Sequence, residues 1–204
     1  MFTFAEAATL SAARVGQETH LLARFAARLP AAFVLEAEFE EAFYRRANLP
    51  EQLGKLFAPI NPRRIDEDLL ENLCARATPL VRTSALMDDS VQLLLRAVKN
   101  AGLASGEFHL RRPTERRSES GEARPPSNEV LFALKRLWAT DWTFEAVLAR
   151  LDRVDSVDGA GSIALEARPV LIFAGPAGRP DPALAEELGM FEAWRSAAGL
   201  VGLA

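Results

Sequence analysis

Val170-Leu171-Ile172-Phe173-Ala174 decides the fold class of this 204-residue chain. Five apolar residues in a row, three of them β-branched or aromatic, read as a strand buried on both faces. Arg168-Pro169 bounds the run on one side and Gly175-Pro176 on the other, both turn signals. The chain must therefore contain a sheet, although its composition is that of a helical protein. It holds 36 Ala and 29 Leu against only 15 Ile and Val together. Ala and unbranched residues favour helices, and β-branched residues favour strands.

Outward from that run, period-2 alternation marks further strands. Ile163 and Leu165 alternate with Ala164 and Glu166, which predicts a strand over 162–167. Phe108 and Leu110 alternate with Glu107, His109 and Arg111, which predicts one over 106–111. Thr19, Leu21, Ala23, Phe25 and Ala27 alternate likewise. So do Phe33, Leu35, Ala37 and Phe39, against Glu36, Glu38 and Glu40 on the other parity. Residues 19–27 and 33–40 are read as two strands, although both also fit a helical stripe.

The helices have clearer punctuation. Pro50 opens one over 50–58. Asp66 caps one over 66–77, which Pro79 is expected to stop. Asp88 and Asp89 precede the stripe Val91, Leu94, Leu95 and Val98. Ser127 or Asn128 starts a helix to Thr140, and Asp141 or Thr143 starts the next. Asp181 and Pro182 open the last, with the stripe Leu184, Leu188, Phe191, Trp194 and Ala198. The expectation is an α+β fold, rich in helix, with a small and mostly antiparallel sheet. An all-α fold is the alternative if 19–27 and 33–40 are helical.

Residues 113–126 contain no large apolar side chain and are read as a flexible Arg/Glu/Pro-rich loop or linker. It separates an N-terminal α+β portion, 1–112, from a C-terminal one, 127–204, both sharing one core. The apolar stretch 199–204 is read as a tail, docked or frayed.

The bulk charge is −4, with a pI near 5.4, which excludes a uniformly basic nucleic-acid coat but not a local patch. Cys74 is the single cysteine, so a disulfide scaffold is excluded. Met1 to Glu6 show no basic segment leading into an apolar one, and no run is long enough to cross a bilayer. A soluble, cytoplasmic protein with no membrane partner is expected.

No motif carries chemistry. Gly159-Ala160-Gly161-Ser162-Ile163-Ala164 has the letters of a dinucleotide loop but the wrong flanks, a helix before and a strand after. It is read as a turn, and no cofactor is expected. Gly175-Pro176-Ala177-Gly178 lacks the lysine of a phosphate loop and is read as a connection. Cys74 falls on the apolar face of its helix. His20 and His109 fall on the polar side of their strands and are read as surface residues, and no spacing suggests a metal site. No catalytic residue is assigned.

Two features point to partners. Arg111, Arg112, Arg116, Arg117 and Arg124 lie in or beside the Arg-rich stretch, followed by Lys135 and Arg136 on one helical face. Such a segment can neutralise phosphates, although it lacks aromatic residues for base stacking. Trp142, at a helix–helix corner, is a candidate anchor for a protein partner. The leading expectation is a non-enzymatic interaction or regulatory protein, self-association included. Nucleic-acid binding through 111–136 is the alternative. An enzyme whose site is assembled from distant residues (His20, His109, Cys74 and the acidic helix starts) is the third.

Overall fold

The computed structural model describes residues 1–154, 163 and 166–204. In chain order it contains α1 (Phe4–Ala7), α2 (Ala12–Val15), α3 (Gln17–Ala23), β1 (Ala32–Leu35), α4 (Ala37–Arg46), α5 (Leu49–Phe57), α6 (Glu67–Thr83) and α7 (Asp88–Asn100). Then come β2 (Gly106–Arg111), β3 (Ser118–Ala123), α8 (Asn128–Thr140), α9 (Phe144–Val154), β4 (Val170–Ala174), β5 (Arg179–Pro180), α10 (Pro182–Leu188), β6 (Ala193–Ser196) and β7 (Gly199–Leu203). The fold is α+β, and every strand pairing among the described residues is antiparallel. No described helix is long and apolar enough to cross a membrane.

The chain forms two compact units that interleave in sequence. One comprises Met1–Glu41, Asp88–Leu134 and Ala167–Ala204; the other comprises Ala42–Met87 and Lys135–Glu166.

The first unit holds both sheets. Its four-stranded sheet has the order β1-β4-β2-β3, so the apolar run 170–174 lies inside, as its composition demands. Val170, Leu171, Ile172 and Phe173 are all fully buried. Register sorts the side chains. Val34, Leu171, Phe173, His109 and Arg111 share one face; Phe33, Leu35, Val170, Ile172, Phe108 and Leu110 share the other. The first face packs into a core with Phe4, Val15 and Leu22 from the N-terminal helices and Ala193, Leu200, Val201 and Leu203 from the second sheet, order β5-β6-β7.

The second unit is helical. Its centre is a set of aromatic contacts: Phe43 stacks on Trp138 at 4.7 Å, and Trp142 stacks on Phe57 at 5.7 Å. Trp142 also donates its indole N–H to the Tyr44 hydroxyl at 2.7 Å. Asp66 caps α6 by accepting from the Leu69 N–H. The helix then runs through Pro79 to Thr83, because Ala77 and Val81 bury a continuous face on either side of the missing N–H.

Several expectations are corrected. Residues 19–27 are not a strand. Glu18, Thr19 and Leu22 are buried at helical spacing in α3, and the Ala-rich remainder follows its propensity. The run 33–40 is a strand only to Leu35; Glu36 leaves the sheet and α4 begins at Ala37. Of 162–167, Ile163, Glu166 and Ala167 lie in no strand, and the rest fall outside the described residues, as does the glycine turn 159–162. The expected loop 113–126 contains β3, a strand without large apolar residues that is held by its pairing to β2. The last helix stops at Leu188. Gly189 adopts the left-handed conformation, φ 65°, and its N–H and that of Met190 close the final carbonyls. Phe191, 88% exposed, is therefore no part of a buried stripe, and Trp194 lies in β6. The apolar tail is β7.

β3 approaches β2 closely at one point. A Cβ on Gly121 would sit 2.8 Å from the Phe108 ring, whose side chain is 1% exposed. Gly121→Val is expected to displace that ring and cost about 1–3 kcal/mol in urea denaturation. Glu18 and Arg111 are a second weak point, since both are buried and paired at 2.6 Å. Glu18→Gln strands a buried guanidinium and is expected to cost about 3–5 kcal/mol. Exposed Glu38, 3.7 Å from Arg14, is the control, and Glu38→Gln stays within about 0.5 kcal/mol.

Candidate functional site

Arg111 ends β2 and Arg112 follows it, and the two guanidinium groups go to different carboxylates. Neither faces solvent. Arg111 grips Glu18 with both terminal nitrogens, at 2.8 and 2.6 Å, and also donates to the Arg112 and Val201 carbonyls. Arg112, 1% exposed, grips Glu40 at 2.6 and 2.8 Å and donates to the Arg168 carbonyl. These two cations are committed to carboxylates inside the protein. Arg116 is exposed, paired with Glu192, and its guanidinium lies 4.6 Å from the centre of the Trp194 ring. Arg117 is exposed, and Arg124 pairs with Glu122 at 2.8 Å. Lys135 and Arg136 belong to the helical unit. Lys135 is half-buried, and that burial lowers its pKa. Trp142 is 3% exposed and sits in the aromatic centre of the same unit, away from any surface.

What the structure does bring together is a cleft of about 190 Å³ in the first unit, between the β2–β3 hairpin and the second sheet. His109, Arg111 and Ser118 come from the hairpin strands, and Thr114, Glu115 and Arg116 from the connection between them. Ala177, Gly178, Pro180, Trp194 and Val201 form the opposite wall. His109 and Arg111 share a strand face by their spacing of two, and Ser118 is the register partner of Arg111. The β2–β3 turn is tied down from beneath. Thr114, with φ 63°, donates its N–H to Glu18 Oε2 at 2.6 Å. Glu115 pairs with Arg168.

His109 is the chemically distinctive group. It is 1% exposed, and its ring lies on Phe173 with centroids 5.2 Å apart and planes 16° from parallel. Nδ1 is 2.9 Å from the Gly175 carbonyl, which can only accept, so Nδ1 carries the proton in the neutral ring. Nε2 is then a lone-pair acceptor. It is buried and has no hydrogen-bond partner in the protein. Burial pushes the imidazole pKa below its ordinary value. The Arg111 charge adds to that, and the bond to Gly175 opposes it. His109 therefore holds a fixed, buried and uncharged acceptor at neutral pH. Sequence reasoning placed His109 on the polar side of its strand, which is correct for β2 alone. It missed the second sheet that covers that side.

Cys74, in the helical unit, is buried, and burial pushes its thiol up to about 11, which makes it unreactive. His20 lies on α3, among the N-terminal helices, and does not line the cleft. Among the described residues no group of three His, Cys, Asp or Glu side chains is placed to hold a metal ion.

A histidine whose folded pKa is lowered binds fewer protons than in the unfolded chain. Its contribution to stability is complete above the unfolded value, about 6.5, and is lost as pH falls from there towards the folded value. His109→Gln removes that term. The variant is expected to lose less stability than the parent between about pH 7 and pH 5, as read by denaturant midpoints across that range. A search of protein-family models and a search of curated proteins each return no match to this chain.

Proposed function

We propose that the protein is a non-enzymatic interaction or regulatory protein, and that the cleft between its two sheets is where it recognises a partner. The observation that carries this reading is the unpaired, buried Nε2 of His109, on a residue that lines the cleft. A buried polar atom left without a partner is costly, and the cost is recovered when a ligand supplies the missing donor. Recognition fits this histidine better than catalysis does. A general base works best with a pKa near the working pH, whereas burial lowers that of His109. Its ring is also held by Phe173 and Gly175, which suits a fixed hydrogen bond. The nucleic-acid alternative is left with fewer exposed cations, since Arg111 and Arg112 point inward to Glu18 and Glu40.

The reading is tested by following the His109 imidazole nitrogens by NMR while adding a fragment set of amino-acid amides, simple amines and nucleosides. A binding fragment is expected to move the Nε2 resonance in the direction of an accepted hydrogen bond. Filling the cleft with Ser118→Trp is expected to weaken that fragment at least about tenfold, or about 1.4 kcal/mol. If no fragment moves His109 Nε2, the cleft is not a recognition site.

A further inference from the structure

We infer that the cleft receives the guanidinium group of an arginine on a partner protein, and that Arg116 occupies part of that site in the free protein as a built-in competitor. The inference rests on the reading of the cleft as a recognition site.

The first support is the occupant itself. Arg116 lies over the Trp194 ring at 4.6 Å and pairs with Glu192. An aromatic face beside a carboxylate is a cation site, and it is already filled by a guanidinium from the same chain. The second is the remaining bonding capacity. Arg111, the other cation of the cleft, is spent on Glu18 and two carbonyls, whereas His109 Nε2 is an acceptor in want of a donor. A guanidinium brings five N–H donors and no acceptor, and so matches that need. The third is size. At about 190 Å³ the cleft is smaller than the roughly 300–1,000 Å³ of pockets that hold whole drug-sized ligands, and it suits one side chain.

Arg116 is also placed to leave. Its side chain is 60% exposed, on the connection 112–117 between two strands, and exposed ion pairs and cation–π contacts are weak. An incoming arginine exchanges like for like and brings additional N–H donors to a cleft lined by His109, whose buried Nε2 has no hydrogen-bond partner. The net charge of −4 favours approach of a basic partner.

The test uses the full chain and three probes: N-acetyl-arginine amide, its uncharged isostere N-acetyl-citrulline amide, and adenosine. The readouts are the Trp194 indole N–H and the His109 Nε2 resonances. The backbone amide resonances of β2 and β4 report that the unit carrying the cleft is folded in each variant. The arginine probe is expected to shift both site signals, and Arg116→Ala is expected to bind it about fivefold more tightly by removing the competitor. Glu192→Gln in that background is expected to reverse the gain, and the citrulline probe to bind more weakly than arginine. Unchanged or weaker arginine binding by Arg116→Ala, or equal binding of citrulline, overturns the inference. If adenosine moves His109 Nε2 and the arginine probe does not, the cleft remains a recognition site and the guanidinium assignment falls. If no probe moves His109 Nε2, both fall.

Discussion

The carboxylate of Glu18 is the joint on which the β-rich unit depends. Oε1 accepts from Arg111 and from the Leu203 N–H at 3.0 Å, and Oε2 accepts from Arg111 and from the Thr114 N–H. Arg111 in turn donates to the Val201 carbonyl at 2.6 Å. Val201 and Leu203 are two apart on β7 and so direct these groups to the same side. The ion pair thus bonds the edge of the second sheet as a neighbouring strand would. One pair of side chains ties α3, the β2–β3 turn and β7 together and meets the polar needs of a strand edge. Burying charge is not stabilising in itself, and an apolar replacement of both partners is often no worse. What the pair supplies is a geometry that few other side chains reproduce. Arg112 and Glu40 form a second such pair, joining α4 to the backbone at Arg168.

This arrangement gives the arginine bias a physical content. Of the basic residues, 21 are Arg and 3 are Lys. At positions 111 and 112 the preference has a structural use. Each there uses two nitrogens on one carboxylate and still reaches a main-chain carbonyl, which a single ammonium cannot do. Neighbouring cations in a polar stretch look like a surface patch. In the fold, the two at the end of β2, Arg111 within it and Arg112 just after it, are interior clamps.

What the sequence made legible was whatever a residue's own segment decides. The continuous apolar run 170–174 had to be a central strand, and the capped stripes of α5 to α9 had to be helices. The failures have one cause, which is that the deciding partner is far away along the chain. β3 exists because β2 offers it a ladder, and nothing in Ser-Glu-Ser-Gly-Glu-Ala announces that. The period-2 pattern at 19–27 was an accident of where Thr19, Leu21, Ala23, Phe25 and Ala27 fall in a helical run, and the glutamate at 18 became informative only once Arg111 stood opposite. The cleft was lost through the same gap. Reading 190–204 as helix and tail removed β6 and β7, the cover over His109, and left a buried acceptor looking like a surface histidine. One local sign was available: Gly189, in the left-handed conformation that ends a helix, sits where the stripe should have been cut.

The span of the Glu18 joint has a consequence for how the protein is made. Its carboxylate waits for a backbone amide 185 residues later, and for an arginine 93 residues later. The strand order places β1 beside β4, whose residues are likewise separated by most of the chain. A ribosome therefore releases the N-terminal helices long before their counter-charges exist, and the β-rich unit cannot close as it emerges. Distant pairings of this kind slow folding and prolong exposure of unpaired strands. The polar composition of β3, one edge of the four-stranded sheet, is a form of protection during that wait.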